Sequence, residues 1–196
     1  MKRYYYIAIA CCALAAMRPG WTHPLGNFSI NQYSQLDLGK SEIRVHQVLD
    51  MAEIPTFQES SRIDTDRNGV LSAAELTAYA ASLAANYAQN LIVTINGETF
   101  PLRVSTQDVQ LTAGALNLQT MVITWDFVAS IRIKDGLNQV SFRNDNYAAR
   151  MGVREITVKR NPHDEVFESE AARDVRKSDS APLIAKHRAL TFYLRR

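Results

Sequence analysis

The spacing of apolar residues along the chain changes several times, and each change marks an element. Phe28, Ile30, Leu36 and Leu38 share one face of a stretch whose other face carries Asn31, Tyr33, Gln35 and Asp37. After the turn at Gly39-Lys40, Ile43, Val45, Leu49 and Met51 repeat the pattern. A period of two belongs to a half-buried strand, so a β-hairpin is predicted. Residues 55–62 read as a short helix, with Pro55 suited to its first turn. Ala73 to Gln89 is rich in alanine and places Leu76, Tyr79, Leu83 and Tyr87 at helical spacing, which predicts the longest helix of the chain.

From Leu91 the period returns to two. Leu91–Ile95 is a predicted strand, Asn96-Gly97 a hairpin turn and Phe100–Val104 the return strand. Further strands are predicted at Val109–Leu111, Leu118–Phe127, Ser130–Lys134, Gln139–Arg143 and Glu155–Lys159. Short strands separated by polar turns predict a mainly β chain, an antiparallel β-sandwich with a helix–loop–helix unit inserted at 55–89. Past Arg160 the pattern breaks at Asn161-Pro162. Residues 161–196 read as a polar linker and a basic tail, in which Leu183–Arg196 forms an amphipathic surface helix or an unanchored end.

The N-terminus carries a different signal. Lys2-Arg3 precedes Tyr4–Met17, which has no charge, proline or glycine. Such a run has the length of a signal-peptide core and falls short of a membrane span. Residues 1–22 are therefore expected to be a signal peptide, forming an N-terminal signal helix, and 23–160 the folded domain, periplasmic or extracellular. An uncleaved N-terminal membrane anchor is the rival reading. Cleavage fits after Ala15 or before His23, and a lipoprotein site at Cys11 or Cys12 fits less well. The whole chain has a formal charge of +2. Losing Lys2, Arg3 and Arg18 with the signal takes 22 basic residues to 19 against 20 acidic ones, net −1. That balance gives no field for nucleic acid. Both cysteines go too, which removes disulfide and thiol chemistry from the exported domain.

The loop between the two predicted helices reads D-T-D-R-N-G-V-L-S-A-A-E from Asp64 to Glu75. Calcium takes six to eight oxygen ligands in a flexible cage, which a loop supplies by placing oxygens at alternate positions as it curls. Asp64, Asp66 and Asn68 would give side-chain oxygens, Val70 its carbonyl, Ser72 a direct or water-borne contact, and Glu75 a closing bidentate carboxylate. Gly69 would take the sharp turn and Leu71 would pack inward. The unit is thus EF-hand-like. A plain capped turn, with Ser72 and Glu75 as a capping box, explains those two residues but not the alternation of Asp64, Asp66 and Asn68. The loop occurs once, so calcium is expected to act as a structural staple rather than as a sensor.

His23-Pro24-Leu25-Gly26-Asn27-Phe28 and Glu53-Ile54-Pro55-Thr56-Phe57-Gln58 form two further distinctive strings. With the acidic loop, Asn146-Tyr147 and Arg154-Glu155-Ile156, they resemble the exported N-terminal domain of bacterial membrane proteins of the nickel/cobalt-transporter type. The resemblance covers residues 23–160. It implies an accessory or interaction domain whose partner is a membrane protein or transporter component. No residue matches a translocation motif, so transport itself is not implied. A stand-alone domain, a shortened form and one part of a split system all fit.

Among the remaining candidates, His23 at a freed N-terminus would chelate copper or nickel through its amine and imidazole, the reading of a transition-metal capture domain. Against that stands a plain polar residue before a rigid proline. His46 alternates with core positions and should face solvent; Trp125 should be core and Trp21 a processing flank. No serine-hydrolase elbow, zinc-protease motif or phosphate loop occurs, so neither an enzyme nor a small-molecule substrate is expected; an uncharacterised enzyme built on a spatially assembled carboxylate pair is the second alternative.

Overall fold

The computed structural model describes residues 28–159, 165–167, 183–185 and 188–195. The first hairpin is β1 (Ile30–Leu38) and β2 (Glu42–Met51), followed by helices α1 (Glu53–Ile63) and α2 (Ala73–Gln89). Then come β3 (Leu91–Ile95), β4 (Glu98–Phe100), β5 (Arg103–Ala113), β6 (Gln119–Ser130), β7 (Leu137–Asn144) and β8 (Arg154–Lys159). Three strands end the described chain: β9 (Glu165–Phe167), β10 (Leu183–Ala185) and β11 (Ala189–Arg195). The strands form two sheets, a six-stranded one in the order β10-β8-β1-β2-β6-β5 and a five-stranded one in the order β4-β3-β7-β11-β9. The protein is mainly β, and apolar residues of both sheets and both helices share one buried core. Trp125, Phe127, Phe142 and Phe192 are its largest fully buried side chains. No helix among the described residues is long and apolar enough to cross a membrane.

Several expectations change in detail. The sandwich is not wholly antiparallel, because β8 pairs β1 in parallel, Gln32 opposite Arg154 and Asp37 opposite Lys159. β7 lies in the other sheet, and the long connection from it lets the chain return to the β1 edge in either direction. Phe28 is exposed rather than inward, because the strand and its alternation start at Ile30. α1 begins at Glu53, before Pro55. The proline costs nothing there, since the first turn of a helix has no intrahelical acceptors for its N–H groups. Val109–Leu111 belongs to one long strand, β5. Ser130–Lys134 contributes only the end of β6: the buried Asn138 amide engages both backbone groups of Lys134, at 3.1 and 2.8 Å, in place of a ladder.

The largest correction is at the C-terminus. Leu183–Arg196 was expected as a surface helix or loose tail. Instead β10 pairs β8, and β11 lies between β7 and β9 inside the five-stranded sheet. Leu190, Phe192 and Leu194 follow the strand period, and the last two are buried. The expected signal segment, Trp21, His23 and most of the expected linker lie outside the described residues.

The helices are fastened at several points. The Tyr79 hydroxyl of α2 donates to Glu59 of α1 at 2.9 Å, and the Trp125 indole N–H donates to the Ala80 carbonyl at 3.3 Å. Between the sheets lies a cluster that the sequence did not announce. Gln32 Oε1 accepts from the Tyr87 hydroxyl (2.8 Å) and from Asn144 Nδ2 (3.1 Å). Ser34 donates to Gln47 Oε1 (2.6 Å), and Gln32 Nε2 donates to the Asn146 carbonyl (3.0 Å). Asn146 in turn donates to the Tyr87 carbonyl (2.9 Å) and to Asn144 Oδ1 (3.1 Å). Burial pushes the Tyr87 phenol well above its ordinary range, so it stays a donor.

Candidate metal centre

α1 ends at Asp64, whose N–H still reaches the Ser60 carbonyl at 2.8 Å. From there the chain curls tightly around its own carboxylates. Asp64 Oδ1 accepts from the Asn68 N–H at 3.1 Å and Oδ2 from the Gly69 N–H at 2.9 Å. Asp66 Oδ1 accepts from the Asn68 N–H at 3.1 Å, and its Oδ2 from Asn68 Nδ2 at 2.8 Å. Such short-range side-chain bonds to backbone N–H groups are what Asp and Asn offer in turns. The curl needs two residues in the left-handed region, Arg67 (φ 58°) and Gly69 (φ 80°). The second is a glycine, the residue that takes this conformation without a Cβ penalty.

Glu75 closes the loop from the first turn of α2. Ser72 is the N-cap. Its hydroxyl accepts from the Glu75 N–H at 3.3 Å, while Glu75 Oε2 accepts from the Ser72 N–H (3.0 Å) and hydroxyl (2.8 Å), a complete capping box. The other oxygen, Oε1, reaches across the loop to the Thr65 N–H (2.7 Å) and hydroxyl (3.0 Å). The Ser72 N–H and hydroxyl, and then the Thr65 pair, hold the Glu75 carboxyl well below its usual range, at about 2.

Asp64, Asp66 and Glu75 are thereby brought together, each with a carboxylate oxygen within 4.8 Å of the others. The ion pairs seen among the described residues all lie elsewhere. Asn68 is adjacent, and its Oδ1 accepts from the Val70 N–H at 2.7 Å, leaving one lone pair. The Ser72 hydroxyl is committed to Glu75, which favours a contact through water over a direct one. Val70 presents an exposed side chain, and Leu71 is partly buried against the core as expected. His23 lies outside the described residues. Thr65 was not anticipated; a hydroxyl at the second loop position is the signal that pairs it with Glu75.

The gathered donor set is all oxygen and anionic, with Asp66 exposed and Asp64 and Glu75 half-buried. Zinc and copper prefer nitrogen and sulfur, and neither histidine nor cysteine is in the loop. Magnesium and calcium both take oxygen donors, magnesium in a rigid octahedron and calcium in a more flexible shell. Elsewhere, His46 is a solvent-facing strand residue as expected; its Nδ1 lies 2.8 Å from Asp126, which also accepts from the Thr106 hydroxyl. No protein-family model matches the chain, and a comparison with curated proteins returned no match.

Proposed function

We propose that residues 64–75 bind one calcium ion and that the protein is an exported accessory domain whose fold the ion staples. The inserted α1–loop–α2 unit is then EF-hand-like, and residues 1–22 a signal peptide that delivers the domain outside the cytoplasm. The observation that carries the reading is the gathering of Asp64, Asp66 and Glu75 oxygens within 4.8 Å on a loop already curled around them. A capped turn accounts for Ser72 and Glu75, and local bonds to loop N–H groups occupy Asp64, Asp66 and Asn68. Neither gives a reason for the three carboxylates of Asp64, Asp66 and Glu75 to converge, where their charges repel without a cation. The partner would be a membrane protein, in line with the likeness of the two N-terminal strings to transporter-linked domains. Binding, rather than catalysis, is the role.

Thermal melting of the full chain with chelator and with millimolar calcium tests the ion. A ligand bound only by the folded state adds RT ln(1 + [L]/Kd), about 2.7 kcal/mol at a hundredfold excess over Kd. At about 2–4 °C per kcal/mol for a chain of this size, melting should rise by about 5–10 °C. Glu75→Gln should remove most of that rise. Equal melting temperatures with and without calcium would favour the capped turn.

A further inference from the structure

Among the described residues, five of the eight exposed large apolar side chains sit at one end of the molecule: Phe28, Phe57, Leu116, Met151 and Val153. Strand register brings them together. Ile30 lies opposite Met51, Met51 opposite Met121, Ala113 opposite Gln119, and Gln32 opposite Arg154. The residue before β1, the start of α1, the β5–β6 turn and the segment before β8 therefore share one end of the six-stranded sheet. α1 lies across that end. Glu53 Oε1 accepts from the Ala115 N–H at 2.9 Å, and Gln58 Oε1 accepts from Arg150 at 3.2 Å. Phe57 projects to solvent between those two anchor points.

Leu116 is the most telling of the five. It is 85% exposed and held in the left-handed region (φ 55°), followed by Asn117 at 60°. A leucine there loses twice, through exposed apolar surface and through backbone sterics. The turn is nonetheless fixed in place. Gly114 leaves room for Glu53, whose Cγ would lie 2.7 Å from any Cβ at that position.

Chain connectivity indicates what covers this surface. The uncharged run Tyr4–Met17 follows Lys2-Arg3 and joins Phe28 through residues 18–27. Ten residues reach about 35 Å at most. With residues 1–22 retained as the uncleaved N-terminal anchor, the rival to a removed signal peptide and the reading on which this inference rests, a bilayer that holds Tyr4–Met17 lies within that distance of Phe28, and the apolar end is the one tethered to it. We propose that this end docks on a lipid bilayer surface, with Phe28, Phe57, Leu116 and Met151 at the boundary of headgroups and acyl chains. Arg150, exposed beside Met151, faces the headgroups. The inference does not depend on calcium being bound.

The test uses the full chain with Cys11→Ser and Cys12→Ser, carrying one added cysteine labelled with an environment-sensitive dye: Leu116→Cys, Met151→Cys or, at the opposite end of β5, Val104→Cys. All three positions are exposed, so the core is untouched. Each is mixed with vesicles of phosphatidylethanolamine and phosphatidylglycerol, and quenched either by lipids brominated in their acyl chains or by aqueous iodide. Brominated lipid should remove most of the emission at 116 and 151 and leave that at 104, while iodide should reach only 104. Iodide quenching at 116 without lipid quenching would mean that nothing covers the end, and overturns the proposal. Shielding of 116 from both quenchers would place Tyr4–Met17 itself or a second copy of the chain there, and overturns it equally.

Discussion

The acidic loop and the polar cluster between the sheets both gather hydrogen-bonding groups, yet they end in opposite conditions. In the cluster, Gln32, Ser34, Gln47, Tyr87, Asn144 and Asn146 are neutral and buried, and donors meet acceptors until little capacity is left. In the loop, the groups are charged and reach the surface, Asp66 exposed and Asp64 and Glu75 half-buried, and acceptors outnumber the N–H groups that reach them. The buried set is closed to ligands and fixes how the sheets and α2 meet. The exposed set is left with lone pairs and negative charge, which is what a cation needs. Chemistry of the same kind becomes scaffold or site according to its charge and its access to water.

Breaking the cluster should cost most. Gln32→Leu keeps the size but leaves the Tyr87 hydroxyl without its acceptor and takes one partner each from Asn144 and the Asn146 carbonyl, at about 3 kcal/mol for buried groups left short of partners. Denaturant unfolding should show the loss with and without calcium. A second measurement sharpens the contrast: the calcium-induced rise in melting temperature should be the same in Gln32→Leu as in wild type, because sites without shared partners add. A calcium shift that collapses in Gln32→Leu would show the two regions to be one unit.

Of these two regions, acid should act on the loop, because the cluster is neutral. The Glu75 carboxyl is held at about 2 against an ordinary 4.5, a depressed folded value. Its stabilisation is complete above about 4.5 and is lost as pH falls toward 2. Without calcium, melting temperature between pH 6 and pH 2.5 should therefore fall more steeply in wild type than in Glu75→Gln. The smallest effect belongs to Ser72→Ala. It removes an N-cap hydroxyl, about 1 kcal/mol of stability, and should leave most of the calcium shift in place. A Ser72→Ala loss as large as that of Glu75→Gln would make Ser72 a direct ligand.

The same contrast decides what could be read from the sequence. The loop was legible because its candidate ligands fall within twelve consecutive residues, and the helices around it because their apolar spacing is local. The cluster was not, because the bonds that tie Gln32 to Tyr87, Asn144 and Asn146 join residues 55 to 114 positions apart. Its one trace was a gap: Gln32 and Ser34 occupy inward positions of β1 between Ile30 and Leu36, where apolar residues belong. The terminal strand was misread because basic residues around Leu190, Phe192 and Leu194 suggested a helix face. Its place in the sheet depends on β7, more than forty residues earlier.

The parallel ladder between β1 and β8 has a kinetic consequence. Asp37 meets Lys159 across 122 residues of intervening chain, so the inner edge of the six-stranded sheet closes only after nearly the whole domain has emerged. Contacts of such span are slow to form, because loop closure precedes any reward from pairing. The β1–β2 hairpin and the helix pair can form early, but neither can bury its apolar face until the late strands arrive. A chain with this order of events stays loose until its last strands are made, the condition in which a narrow pore would accept it, should it be exported as proposed.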